Sequence, residues 1–252
     1  MLMDTGRAEL VNIGAVRAEH GILRRPEGWP ENRISTVTRG WEGETFVCIG
    51  GGPSLTIEQV AMVRAAGKRT IAINDAYLLA PWADICYFAD SEWHGWHTAG
   101  VARPALGLSA EQVRKRFAEF AGEKCSLKST GMNVTDPQVH LLRVLKVGGL
   151  SRDAQAIRDG RHGGYHALNL GVLAGGTRAI LIGYDGEQKN GKRHWHGDHQ
   201  KIEPTAVFQV YRESFRTADA ELKKLGVHVI NASPGSAIGA FEKMDLAAAL
   251  AL

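Results

Sequence analysis

A short apolar segment that runs directly into three glycines constrains the fold of this chain more than any other part of its sequence. Thr45–Ile49 has the residues of a buried strand, and Ile57–Ala66, just beyond the glycines, has those of a helix. Residues without a Cβ allow a sharp turn in which backbone N–H groups approach an anion. The segment therefore predicts a phosphate-binding loop, with a ligand-free tight turn as the alternative. The predicted contacts come from Gly50, Gly51, Gly52 and the hydroxyl of Ser54.

Short apolar runs and helical segments alternate through most of the chain. Further strands are predicted at Arg69–Ile73, Ile85–Ala89, Val139–Val147, Ala179–Ile182 and Val227–Ile230. Such alternation is typical of α/β proteins, so we expect a single Rossmann-like domain with a mostly parallel sheet and helices on both faces. We assign residues 1–43 to an N-terminal extension and residues 44–252 to this domain. Gly148–Gly164 is predicted to be a loop or lid, and the helical stripe that contains Tyr211 to be core.

Composition and charge limit the location and the partners. Of the 252 residues, 44% are hydrophobic and 23% are charged, as in globular proteins that bury a core. No apolar run approaches the roughly 18 residues that span a bilayer, and no signal-peptide core is visible, so we expect a cytoplasmic protein without a membrane partner. Cys48, Cys86 and Cys125 are expected to be reduced core thiols. A formal net charge of +3 permits a nucleotide or nucleic-acid partner without arguing for one.

Polar residues follow four of the predicted strands at their carboxyl ends. In an open α/β sheet this edge is where ligands bind, so the four groups together predict a site. Asn74 and Asp90 are expected to hold a base and ribose, and Asp185 to accept a hydrogen bond from a ribose hydroxyl or to hold a metal ion. The groups are Gly50–Ser54, Asn74–Asp75, Asp90–Ser91 and Gly183–Gly186.

The segment His194–His199 concentrates three imidazoles and one carboxylate within six residues. Three interpretations stay open. An exposed loop tolerates any such composition, and a metal ion is a second explanation, although the spacing of His194, His196, Asp198 and His199 matches no standard zinc pattern. The third is catalysis, with His199 or His196 as the base, because a neutral imidazole can take the proton of an acceptor hydroxyl as it attacks.

Arg161–Gly164 forms a third cluster, directly before a predicted helix. The Arg161 guanidinium is a candidate to meet a diphosphate, and Gly163 and Gly164 lie where a helix N-terminus adds favourable partial charge. A surface loop is the alternative. Trp93 and Trp96 either line an acceptor pocket or cover the sheet edge.

In their order and spacing, these segments resemble a known superfamily. Val47–Leu55, Asn74, Gly164–Asp185 and Val229–Ser236 are similar to segments shared by bacterial sialyltransferases of the variant GT-A type and 6-hydroxymethylpterin diphosphokinase-like proteins. The likeness covers about residues 45–241 and is nearest to phage-encoded relatives that are labelled only as morphogenesis proteins.

The resemblance implies roles for most of the candidate residues. It implies a nucleotide-sugar donor as the cofactor, with CMP and UDP as the candidate nucleotides and dependence on a divalent metal left open. It places Gly51, Gly52, Ser54, Asn74 and Asp90 on the nucleotide, Gly163 and Gly164 on its phosphate and ribose, Asp185 in the position of the acid of a Gly-Ile-Asp motif, and His199 or His196 in that of the catalytic histidine.

We therefore expect a nucleotide-dependent glycosyltransferase that moves a sugar to the hydroxyl of a small molecule, a glycan or a modified nucleobase of a nucleic acid. Arg161 and the glycine-loop amides would neutralise charge on the departing phosphate. One alternative is an ATP-dependent diphosphokinase in which Asp185 and Asp90 hold Mg²⁺. Another is a non-enzymatic phage assembly protein that keeps the fold. The expected location is the cytoplasm, that of the host if the protein is phage-encoded, and the expected assembly is a homo-oligomer.

Overall fold

A computed structural model describes residues 21–29, 33–128, 134–146, 148–197 and 204–252. The strands are β1 (Leu23–Arg24), β2 (Thr36–Val37), β3 (Thr45–Ile49), β4 (Arg69–Ile73), β5 (Ile85–Tyr87), β6 (Glu123–Lys128), β7 (Val139–Leu145), β8 (Ala156–Arg158), β9 (Arg178–Ile182), β10 (His228–Asn231) and β11 (Glu242–Lys243). The α-helices of the described residues are α1 (Ile57–Ala66), α2 (Ser91–Ala99), α3 (Ala110–Ala118), α4 (Gly163–Leu173), α5 (Val207–Lys224) and α6 (Leu246–Ala251).

Nine strands form one parallel sheet in the order β11-β10-β9-β3-β4-β5-β6-β7-β8, and β1 pairs with β2 in a separate antiparallel ribbon. The chain leaves β3 toward β4 on one side and later returns to pair β9 with β3 on the other side. The carboxyl ends of β3 and β9 therefore border a topological switch point, which is where ligands bind in open α/β sheets. The predicted fold class, an α/β domain with a parallel sheet, is confirmed.

The sheet carries a hydrophobic core on each face because successive strand residues point in opposite directions. Within β3, Cys48 packs into the core that contains residues of α4 and α5, whereas Val47 packs into the core that contains residues of α1, α2, α3 and α6. We call these the α4/α5 face and the α1/α2 face. Near-continuous apolar strands are the expected sequence of a sheet that is covered on both faces.

Side-chain caps explain where α1 and α3 begin. Thr56 caps α1 through a reciprocal capping box with Gln59, and Gly67 ends the helix in a left-handed conformation. Ser109 and Gln112 form the same box at the start of α3. These caps satisfy backbone donors that the first helical turn leaves unpaired.

Two sequence predictions need correction, and one strand is missing from the predictions. Gly148–Gly164 is not a loop throughout, because Ala156–Arg158 forms strand β8 and α4 begins at Gly163. Tyr211 belongs to the wall of a cavity rather than to the core, although Phe215 and Leu222 of the same helix are buried. Strand β6 was not predicted at all.

The described part of the N-terminal extension packs against the domain. Ile22 and Trp41 lie in the core of the α4/α5 face, and the backbone amide of Ser35 donates to the Leu141 carbonyl at 2.9 Å. The three cysteine thiols are free and buried, as expected, and burial raises the pKa of Cys48 to about 12. In the described part of the chain, no helix combines the length and apolarity needed to cross a bilayer.

Candidate active site

A cavity of about 340 Å³ opens at the carboxyl edge of the sheet, at the switch point between β3 and β9. The ends of β3, β4, β5 and β9 meet there with the first turns of α2, α4 and α5. The sequence-predicted residues that line it are Gly50, Gly51, Gly52, Asn74, Asp90, Arg161, Gly163, Gly164, Asp185 and His196. Ser54 is not part of the lining, and His199 and Asp198 lie outside the described residues.

The glycine loop offers fewer free amides than the sequence suggests. The Gly50 amide donates to the Ile182 carbonyl at 2.8 Å, and the Gly52 amide donates to the Gly183 carbonyl at 2.8 Å. Neither amide can donate to a phosphate at the same time. The prediction that the Gly50 and Gly52 amides bind a phosphate is therefore corrected: they hold the loop against the end of β9. Among the described residues the Gly51 amide has no acceptor, and a Cβ added there would meet only His194 Nδ1, at 3.6 Å. Gly51 is therefore the position of the loop that a ligand can approach.

Gly52 is required by packing instead. A Cβ at this position would come within 2.1 Å of Asp185 Oδ2 and within 2.6 Å of the Gly183 carbonyl oxygen. The Ser54 amide and hydroxyl both donate to Asp185 Oδ2, at 3.1 and 2.9 Å. Ser54 therefore holds Asp185 rather than a ligand, which corrects its predicted role.

Asp185 links the loop after β9 to the glycine loop after β3. Its side chain is buried, and its second carboxylate oxygen lies 2.8 Å from Lys189 Nζ. With Ser54 on one oxygen and an ammonium group on the other, the carboxylate is poorly placed to accept from a ribose hydroxyl or to ligate a metal ion. Among the described residues no group of three or more His, Cys, Asp or Glu side chains is arranged to hold a metal.

The N-terminus of α4 faces the cavity with unpaired donors. Gly163 and Gly164 are its first two residues, and within the described chain their amides have no acceptor. Arg161, two residues before the helix, is exposed, has a left-handed φ of 64°, and its guanidinium has no hydrogen-bond acceptor in the same described chain. Two amides at the positive end of an 11-residue helix, together with a guanidinium, form an electrostatic setting for a phosphate.

Asn74 lies beside this helix end. A Cβ on Gly163 would come 3.0 Å from Ile73 Cγ2, the residue that precedes Asn74. Asn74 has a φ of 50°, which a non-glycine residue rarely adopts, and its buried amide oxygen has no hydrogen-bond donor. Strain and an unpaired polar atom concentrate at functional sites. Asp90, by contrast, already accepts from the Glu92 amide at 2.8 Å as the N-cap of α2.

Asp75 is the buried centre of a polar network. One oxygen accepts from Trp93 Nε1 at 2.7 Å and from His97 Nε2 at 2.9 Å. The other lies 3.1 Å from Arg103 Nε and 3.1 Å from His196 Nε2. Four donors therefore surround one carboxylate that is only 6% exposed.

These donors keep the carboxylate ionised. Burial alone would raise the pKa of Asp75, but hydrogen bonds from His196 and His97 and the charge of Arg103 outweigh it, so that the pKa lies well below its usual value. Burial lowers the pKa of His97 more than Asp75 raises it, so His97 is neutral at pH 7. A neutral His97 donates from Nε2 to Asp75 and accepts from the Tyr77 hydroxyl at Nδ1, 2.6 Å away.

His196 is held across the ends of two strands. The Trp195 amide donates to the Gly51 carbonyl at 3.2 Å, and His196 Nε2 lies on Asp75. The His196 side chain is 2% exposed and forms part of the cavity wall. A carboxylate that fixes one ring nitrogen of a histidine is the arrangement found in catalytic triads, where it orients the imidazole and stabilises its cation. The metal interpretation of His194–His199 stays a prediction, since two of its four ligands lie outside the described residues.

His162 caps α4 in a defined tautomer. Its Nδ1 accepts from the Tyr165 amide at 3.3 Å, so Nε2 carries the proton and donates to Ser214 Oγ, 3.2 Å away. The Ser214 hydroxyl donates onward to the Tyr211 carbonyl at 2.8 Å. Removal from water lowers the pKa of His162 to about 3, so the ring stays neutral.

Acid should therefore destabilise the protein through His162. The unfolded chain takes up this proton below about pH 6.5, whereas the folded protein does so only near pH 3, so the free energy of unfolding falls as the pH drops below 6.5. We expect His162→Asn, which keeps a capping side chain, to remove about 1.6 kcal/mol of the stability difference between pH 6.5 and pH 5. Urea unfolding of both proteins at the two pH values measures this difference. Equal pH dependence in the two proteins would contradict the neutral cap.

The sequence analysis does not predict the roles of Asp75 and Arg103, or that α5 residues such as Phe208 and Tyr211 line the cavity. Asp75 was grouped with Asn74 only as a strand-end residue, and its partners come from sequence separations of 18 to 28 residues and from His196. An Asp two residues after an apolar strand, with a Trp-x-x-x-His spacing on the α-helix that follows, is the signal that could have indicated a buried carboxylate.

The chain matches no protein-family model and no curated protein. The resemblance to the sialyltransferase and diphosphokinase superfamily therefore stays a prediction.

Proposed function

We propose that the protein binds a nucleotide sugar in the switch-point cavity and transfers the sugar to an acceptor hydroxyl. One observation carries the proposal: the same cavity brings the unpaired N-terminus of α4 and Arg161 together with the Asp75–His196 pair. The first group suits a phosphate, and the second suits the removal of a proton. A transferase needs both functions within reach of one bound donor.

In the proposed reaction, the acceptor oxygen attacks the anomeric carbon of the sugar while its proton passes to His196. The bond between the anomeric carbon and the phosphate oxygen breaks, and the nucleotide leaves with the electron pair. Gly163, Gly164 and Arg161 stabilise the negative charge on the leaving phosphate. Asp75 lies 3.1 Å from Nε2 of His196, where the carboxylate orients the ring and stabilises the imidazolium that forms.

The acceptor is proposed to approach from the side of the tryptophans. Trp195 contacts His196, with ring centroids 4.7 Å apart, and Trp96, which packs against the same core as Trp195, also lines the cavity. Aromatic faces suit the apolar face of a sugar ring or a base. The proposal includes a cytoplasmic location, where the buried thiols stay reduced.

The diphosphokinase alternative is less well supported. It assigns Mg²⁺ to Asp185 and Asp90, but Asp185 is occupied by Ser54 and Lys189, and Asp90 caps α2. A non-enzymatic assembly protein would keep the fold without needing an oriented histidine beside an anion site.

Arg161→Ala should weaken nucleotide binding about 10-fold or more, because it removes one charge-assisted contact to phosphate. Calorimetric titration of wild type and variant with CMP, UDP, GDP and ATP, with and without Mg²⁺, measures this effect. Arg152→Ala is the control, since Arg152 is exposed and does not line the cavity. The proposal fails if wild type binds none of the nucleotides or if both variants bind equally well.

A further inference from the structure

The cavity crosses the carboxyl edge of the sheet, and each face of the sheet supplies a different aromatic wall. On the α1/α2 face the wall includes Trp96 and Trp195, which both pack against the core of that face. On the α4/α5 face it includes Phe208 and Tyr211 from the first turns of α5. A bound nucleotide has one planar base, so the base can stack on one of the two walls only.

The phosphate site belongs to the α4/α5 face. His162, which caps α4, lies against Tyr211 with ring centroids 4.5 Å apart, and it is hydrogen-bonded to Ser214 of α5. A phosphate on the Gly163 and Gly164 amides is therefore adjacent to the α5 wall. A base that is one ribose away from this phosphate can reach Tyr211 without crossing the sheet edge.

The opposite wall is needed for another ligand. His196 lies on the α1/α2 face, fixed by Asp75 and in contact with Trp195. In the proposed reaction this imidazole must contact the acceptor hydroxyl, so the acceptor lies against Trp96 and Trp195, which we call the tryptophan wall. The donor base is then left with the wall on the other face.

We propose that the nucleobase of the donor stacks against Phe208 and Tyr211, which makes the start of α5 the base subsite; this inference rests on the proposed function. The two rings meet edge to face, with centroids 6.2 Å apart, and the Arg193 guanidinium lies 5.8 Å from the centre of Phe208. Aromatic faces next to an Arg are a common platform for bases of any identity. Stacking with a base explains why the half-buried side chains of Phe208 and Tyr211 line the cavity instead of packing in the core.

The test compares ligands that differ only in the base. Binding of cytidine, uridine, guanosine and adenosine 5′-monophosphates, and of ribose 5-phosphate, is measured by calorimetry with wild type, Tyr211→Leu, Phe208→Leu and Trp96→Leu. For the nucleotide that wild type binds best, we expect Tyr211→Leu and Phe208→Leu each to lose about 10-fold in affinity. Affinity for ribose 5-phosphate should stay within about twofold, and Tyr211→Phe should restore nucleotide binding.

The outcomes separate the two proposals. If wild type binds no nucleotide, the proposed function fails and the base subsite fails with it. If wild type binds a nucleotide but neither α5 variant changes its preference over ribose 5-phosphate, only the base subsite is overturned. A loss confined to Trp96→Leu would place the base on the tryptophan wall and also overturn it. Phe208→Leu keeps the test decisive if Tyr211→Leu does not fold.

Discussion

Replacing His196 by alanine should lower turnover by roughly 10²–10⁴-fold, because a base within reach of the acceptor hydroxyl contributes about that much to catalysis. Nucleotide affinity should stay nearly unchanged, since the proposed phosphate contacts come from α4 and Arg161 on the other face of the sheet. The turnover number kcat is measured with the sugar conjugate of the nucleotide that wild type binds best. The dissociation constant is measured for that nucleotide alone. A change confined to kcat marks a group that acts in the transition state.

His199→Ala and His94→Ala are the comparisons for this prediction. His199 is the other candidate base, and His94 does not line the cavity; it lies 3.6 Å from Asp136. We expect His94→Ala to keep wild-type turnover. A loss of turnover confined to His199→Ala would assign the base to His199. Full activity in both His196→Ala and His199→Ala would remove the catalytic histidine from the proposal.

Much of the sheet was predictable because most residues of its central strands β3, β4 and β9 are apolar. Thr45–Ile49 and Arg69–Ile73 appear in the structure with the bounds that the sequence predicts. β6 was missed because it begins with Glu123 and Lys124, which read locally as solvent-exposed. In the structure Glu123 accepts from the amides of Ile22 and Leu23, and Lys124 donates to the Gln138 side chain. The Glu123 partners lie about 100 residues away and the Lys124 partner lies 14 residues away, so no local pattern shows that these polar side chains are compatible with a buried strand.

For the candidate site, the positions of the residues were predictable from the sequence, but their roles were not. Strand-end position predicts which residues gather at the sheet edge, because the carboxyl ends of parallel strands share one edge. It does not predict their tasks. Ser54 and Asp185 pair across 131 residues, so a hydroxyl and a carboxylate that look like ligand contacts hold two loops together instead. Among the described residues, Gly51 is the one loop glycine whose amide has no acceptor, because Ile182 at the end of β9 and Gly183 directly after it accept from the amides of Gly50 and Gly52.

Asp75→Asn should lower the free energy of unfolding by about 3–5 kcal/mol at pH 7, the usual cost of removing one partner of a buried ion pair. The amide keeps the shape of the carboxylate but leaves the Arg103 guanidinium, which is 1% exposed, without its counter-ion. It also places an NH2 group where two of the four donors now find an acceptor, so two contacts become repulsive. Urea unfolding followed by circular dichroism measures the loss.

Two further variants decide whether the loss comes from the buried charge. Arg103→Leu in the Asp75→Asn background should recover part of the stability, because it removes the uncompensated cation, and the two substitutions should then be clearly non-additive. Asp153→Asn, which breaks the exposed pair with Arg143, should cost less than about 1 kcal/mol. If Asp75→Asn costs no more than Asp153→Asn, the carboxylate is not the electrostatic centre of the network. It would then have no means of holding His196 in a fixed orientation, and the proposed base would lose its support.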